Sequence, residues 1–279
     1  MKLKERHLGY LFVLPALMML LIVVLIPIVD AFVMSFQAGG GWGLDNYLRI
    51  FSDPASLNSW GKTFIFVTVS TFAHILLGLG SAILLNRQVK GKGVYRTLVL
   101  IPWVISVVVA GTTWRWLFHS QYGVFNDVLT RLGLAPIFWL DNPTTAMIGV
   151  IIANIWNGFP FIMVILLAGL QTIPKEQYEA AAIDGASSFQ QFRFVTLPNL
   201  NVVMSIALIM DLINNFKAFG LVNVMTEGGP VNATLLVSIN IYRNFMKYFD
   251  YGFATANGVL LLFMMLGLSM VYLKMMVRE

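Results

Sequence analysis

The chain has 279 residues, of which 58% are hydrophobic and only 11% charged, with a formal net charge of +5. Soluble chains average about 25% charged residues; here the apolar residues fall in long blocks and mean hydropathy is +0.78, which excludes a cytosolic enzyme, a nucleic-acid-binding module and a disordered chain. The absence of cysteine excludes a disulfide scaffold, a thiolate metal site and a cysteine nucleophile.

A bilayer-spanning helix needs about 20 mostly apolar residues, and six stretches qualify: 8–29, 63–85, 97–118, 145–170, 199–219 and 252–272. The first follows Lys2, Lys4 and Arg6. Its apolar stretch exceeds the roughly 7–15 residues of a signal-peptide core and has no convincing small-residue cleavage site. It is read as retained, with Pro15 and Pro27 as kinks that neighbouring helices satisfy. The second span carries His74, and the third ends near Arg115, read as an outer-interface snorkel. The fourth holds Asn154 and Asn157 beside Trp156. The fifth holds Asp211, Asn214 and Asn215, and Asn240 and Tyr242 lie in the outer segment before the sixth. No internal repeat and no long linker interrupts the pattern, so residues 1–279 read as a single transmembrane domain of an all-α polytopic protein.

Lys and Arg set the orientation of such a protein. They gather at the N-terminus, in the second connection (Arg87, Lys90, Lys92, Arg96), in the fourth (Lys175, Arg193) and in the tail (Lys274, Arg278). That side is the cytoplasm, so both termini are predicted to be cytoplasmic. Lys217, Arg243 and Lys247 in the 214–251 connection run against the trend.

The chain shows no catalytic machinery. Gly61-Lys62-Thr63 imitates part of a Walker A loop, but Ser56 stands where that motif needs its first Gly. His7, His74 and His119 are scattered without an HExxH pairing, so no metal site and no bound cofactor is predicted. Energy for any work would come from another polypeptide.

The connection 171–198 differs from the others. Pro174 suits a first helical turn, Glu176 and Glu179 suit its positive end, and Ala180, Ala181 and Ala182 are strong helix formers of little bulk. Gly185 permits a sharp turn. Phe189, Phe192 and Val195 then mark a second short amphipathic piece, and Pro198 launches the fifth span. Taken on composition, this is an interfacial helix–turn–helix or a docking element that enters a groove on a partner.

Glu179, Ala180, Ala181, Asp184, Gly185, Leu197 and Pro198 stand at the spacings of the EAA motif, and the loop resembles that of ABC-importer permeases, with Val195 in place of the usual Ile. The resemblance extends over nearly the whole chain and narrows to the carbohydrate type. Leu14-Pro15, Pro27 and Ser35-Phe36 resemble its first span. Gly43-Leu-Asp-Asn-Tyr47 and Asp53-Pro54 resemble the outer loop that follows. Trp114-Arg-Trp-Leu-Phe118 with Tyr122-Gly123 and Asn126 resembles the end of span three, and Thr226-Glu-Gly-Gly-Pro230 a signature before the last span. Gly61-Lys62-Thr63 and Lys217 depart from the usual pattern. The resemblance implies a type I importer permease with six transmembrane helices in the plasma (inner) membrane of a prokaryote. It implies a second permease subunit, usually in a heterodimer, and two ATPase subunits that bind ATP and Mg and receive the EAA helix. It also implies an extracytoplasmic binding protein that delivers the solute.

An ionisable group within a span is a functional candidate. Asp211, Asn214 and Asn215 share a helix face at i, i+3 and i+4. Such a face suits sugar hydroxyls or, alternatively, hydrogen bonds to other helices. Asn154 and Asn157 with Trp156 form an amide–aromatic combination on span four, and Asn240 with Tyr242 completes the predicted substrate path. A glycerol-phosphate or other non-sugar solute is the alternative within the same machinery. A proton-coupled transporter using His74 and Asp211 is the alternative outside it.

Overall fold

The computed structural model describes residues 2–87 and 91–277. Lys90 and Arg278, used above for orientation, lie outside them. In chain order the elements are helices α1 (Lys2–Leu20) and α2 (Ile26–Ser35), joined by a π-helical turn at Leu21–Leu25, then the short strands β1 (Gln37–Ala38) and β2 (Gly41–Trp42). Helices α3 (Asp45–Ser52), α4 (Pro54–Asn86), α5 (Lys92–Val104), α6 (Val107–Leu117), α7 (Val124–Arg131) and α8 (Pro143–Thr172) follow. After α9 (Lys175–Ile183) and α10 (Ser188–Gln191), a π-helical turn at Phe192–Thr196 leads into α11 (Leu197–Phe216). Helices α12 (Gly220–Thr226), α13 (Val237–Met246) and α14 (Tyr251–Val277) complete the chain.

Five described helical stretches are long and apolar enough to cross a membrane, or six if α5 and α6 form one bent span. That pair occupies the expected third span, 97–118, as two helices rather than one. Its halves meet at 93°. Pro102 sits near the end of α5, and Ile105 and Ser106 take extended backbone with ψ of 135° and 136°. A proline breaks the backbone ladder, and the β-branched Ile105 tolerates extended backbone well.

Proline acts differently elsewhere. Pro27 and Pro198 each fall two residues beyond a π-helical turn. A widened turn takes up the hydrogen bond that proline cannot make, so the helix continues through it. Helix therefore runs without a gap from Ser188 to Phe216, whereas the fifth span was expected to begin only at 199.

The described residues of Met1–Leu57 and Asn240–Met264 form one compact unit, and those of Asn58–Ile239 and Met265–Glu279 another. In the first unit the β1–β2 hairpin follows α2, with Gln37 opposite Trp42. Buried Asn46 locks it by donating to the carbonyls of Ser35 (3.0 Å) and Gln37 (2.8 Å). Arg49 pairs with Asp250 at 2.5 Å and lies over the Phe253 ring. The second unit has a core in which Ile162, Met163, Leu166 and Leu167 of α8 meet Ala82 of α4 and Leu200 of α11. Its Lys62 and Thr63 have structural partners. Lys62 donates to the Asn232 carbonyl at 2.5 Å, and the Thr63 hydroxyl accepts from Val237 N at 2.8 Å.

Candidate functional site

Within the second unit, residues of α4, α5, α6, α8, α11 and α12 line a cavity of about 380 Å³. Its floor is a polar cluster built from three helices. Asp211 of α11 is 4% exposed and His74 of α4 only 2%. Nδ1 of His74 lies 2.9 and 3.1 Å from the two Asp211 carboxylate oxygens, and Nε2 lies 3.1 Å from the Asn154 carbonyl of α8. Asn215 donates to Asp211 Oδ2 (2.9 Å) and to the Thr71 hydroxyl (2.9 Å), and accepts from Asn154 Nδ2 at 2.8 Å. A charge this deep in an apolar span is tolerated only when it is paired and hydrogen-bonded. Here the pairing also ties three helices together.

Gly158 makes that arrangement possible. A Cβ at this position would stand 2.5 Å from the His74 ring. Nothing in the local sequence marks Gly158 for the role, because His74 lies more than 80 positions away.

Asn157 faces a different task. It donates to the Pro102 carbonyl at 2.5 Å, at the end of α5 where the helix breaks. A carbonyl freed by a break within the membrane needs such a partner. Trp103, just before the break, stacks on Phe161 at 5.6 Å. Both rings line the cavity, and sequence reasoning missed both.

Other predicted residues are placed elsewhere. Trp156 does not line the cavity: its ring packs edge-on against Trp114 at 5.6 Å, in an aromatic cluster with Phe118, Phe125 and Trp139. One position along α8 turns the side chain by about 100°, and the indole finds aromatic partners there. Asn240 and Tyr242 belong to the first unit, where Asn244 donates to the Asn240 backbone and side-chain oxygens at 2.8 and 2.9 Å. Asn214 does line the cavity and is exposed, unlike its buried neighbours Asp211 and Asn215. The single face read from the spacing is therefore split into a buried edge and an open one. Lys217, at the end of α11, lines the same cavity.

The EAA positions sit on a protruding element. Glu179, Ala180, Asp184, Gly185 and Pro198 are exposed, and Ala181 and Leu197 are partly buried. Ile183 between them is 86% exposed, unusual for so apolar a side chain. Gly185 takes φ +81°, the left-handed conformation that ends α9 and suits glycine. Ser187 and Gln190 form a capping box that starts α10. Two side-chain bonds fasten α9 to the base of α11. The Tyr178 and Thr196 hydroxyls meet at 3.0 Å, and Asn199 donates to Gln177 at 2.7 Å.

Multiple apolar helices, a broken span and a polar cavity between helices define a polytopic helical membrane protein of the transport type. Residues 74–277 match the family described as the inner membrane component of binding-protein-dependent transport systems. The trehalose/maltose transport system permease protein MalF of Thermococcus litoralis is 38% identical, over 98% of this chain and 95% of that one. The sulfoquinovosyl glycerol transport system permease protein SmoG of Agrobacterium fabrum is 32% identical, over 97% and 90%. In the solved structures, a chain of a bacterial ABC transporter involved in import of the acidic polysaccharide alginate superposes with a TM-score of 0.88. It is 23% identical, and the match covers 99% of this chain and 97% of that one. The chain belongs to the family of inner membrane components of binding-protein-dependent transport systems, and its fold is that of a type I ABC importer permease.

Proposed function

We propose that the chain forms half of the translocation pathway of an ATP-driven importer for a sugar or oligosaccharide, in the plasma membrane of a prokaryote. A second permease supplies the other half and an extracytoplasmic binding protein delivers the solute. Two ATPase subunits hold ATP and Mg and receive α9. Relatives named for trehalose/maltose and sulfoquinovosyl glycerol support the solute class, and amides beside the Trp103–Phe161 stack suit hydroxyls and the C–H faces of sugar rings.

One observation carries the reading. The exposed EAA helix is bonded to the base of α11, and the far end of α11 holds Asp211, Asn215 and Lys217 at the cavity. A rigid helix held at one end and lining the cavity at the other is a suitable lever. Coupling then requires different contacts between α9 and its ATPase in the two states of the transporter. Glu179 would offer an anionic contact, and Ala180 and Ala181 would allow close approach.

A proton-coupled transporter fits less well. Beyond each other, His74 and Asp211 contact a backbone carbonyl and an amide, groups that do not pass protons onward. The test is uptake by vesicles that contain both permeases and the ATPases, supplied with ATP and binding protein. Gly185→Asp puts a side chain on left-handed backbone that glycine takes more readily, and adds charge to the docking face. It is expected to abolish uptake while the protein remains inserted. Full uptake by that variant, or uptake without ATP, would overturn the proposal.

A further inference from the structure

We propose that Lys217 makes this permease selective for hydroxylated solutes that carry an anionic group, such as a carboxylate, sulfonate or phosphate. The inference rests on the cavity being the solute path and goes beyond it by assigning the charge of the cargo.

It follows from a count of charges around the cavity. Asp211 is the sole carboxylate among the lining residues, and Lys217 the sole Lys or Arg. Asp211 does not neutralise Lys217, because it is committed elsewhere. Both of its oxygens lie within 3.1 Å of Nδ1 of the buried His74 ring, whose Nε2 meets the Asn154 carbonyl. The remaining acceptor capacity of Asp211 is engaged by Asn215. The charged residue left at the cavity lining is therefore Lys217, exposed and without a side-chain partner among the described residues.

Asn214, also exposed, follows it one turn back on α11 and offers a neutral donor and acceptor beside the charge. An ammonium in a recess bounded by Trp103, Phe161 and other apolar walls is less screened than one on an open surface. An anion on the solute supplies the missing countercharge, and the flanking amides and rings hold the rest of it. Lys217 also ends α11, where a cation suits the helix dipole. That role would affect stability without distinguishing one solute from another.

The test uses the complete permease–ATPase complex in lipid nanodiscs and two probes, a disaccharide uronate and the uncharged disaccharide of the same linkage. Equilibrium binding is measured for each. The wild type is expected to bind the uronate about tenfold more tightly. Lys217→Gln should bring that ratio close to one, and Lys217→Arg should keep it. Equal binding of the two probes by the wild type, or an undiminished ratio in Lys217→Gln, would overturn the inference. Asn154→Ala separates it from the cavity assignment. If that variant weakens both probes while Lys217→Gln preserves the ratio, only the role of Lys217 fails. If Asn154→Ala and Lys217→Gln both leave every affinity unchanged, the cavity is not the solute path, and both fail.

Discussion

His74 and Asp211 show how one buried pair organises a membrane domain. Removing either partner leaves an uncompensated polar group in an apolar interior, at a cost of about 3–5 kcal/mol. His74→Ala and Asp211→Ala are each expected to lower the melting temperature of the purified protein in detergent. The double variant should lose less than the sum of the two, since the pair is broken only once. Gly158→Ala should destabilise through its clash with the His74 ring, and adding His74→Ala should restore much of the loss. A Gly158→Ala protein as stable as the wild type would contradict the packing described here. Asp211 was legible as an ionisable residue in an apolar span, and its i, i+3, i+4 company with Asn214 and Asn215 followed from helical period. Its partner was not. His74 is 137 positions away, and no local periodicity encodes which span faces which.

Among the elements, the broken α5–α6 span and the α9–α11 linkage bear most directly on function. Asn157→Ala would strand the Pro102 carbonyl at the break, with a penalty of about 1–3 kcal/mol for an unmade buried hydrogen bond. Thermal unfolding should register it, and Asn157→Asp, which cannot donate when ionised, should not rescue it. Tyr178→Phe removes a single hydroxyl contact, that to Thr196, worth about 1 kcal/mol. If α9 drives α11, solute imported per ATP hydrolysed should fall about twofold or more while the ATPase rate persists. Unchanged stoichiometry would mean that this bond transmits nothing. The sequence announced helix α9 clearly, through Pro174, the alanines and Gly185. The π-helical turns before Pro27 and Pro198 escaped it, because a proline signals the lost N–H but not whether the helix bends, breaks or widens to accommodate it.

For the whole molecule, a composition of 58% apolar and 11% charged residues already indicated membrane-spanning helices, and apolar run lengths located five of them, or six with the bent α5–α6 pair as one span. The bend in that pair was not legible, because run length is blind to a change of direction. Orientation is open to direct measurement, since the chain has no cysteine and any introduced one is unique. With both termini cytoplasmic, Trp42→Cys, 72% exposed in the loop after the first span, should react on intact cells with a membrane-impermeant maleimide. Lys175→Cys should react only after permeabilisation, and the opposite pattern would invert the topology. The proposal that this chain is driven by a partner ATPase through α9 is tested most directly by Ile183→Cys, 86% exposed at the end of that helix. In membranes holding the assembled transporter, a short bifunctional reagent should join this cysteine to the ATPase subunit, with a yield that changes when ATP binds. A transporter that remains fully active yet never links Ile183→Cys to its ATPase would contradict the docking role of α9.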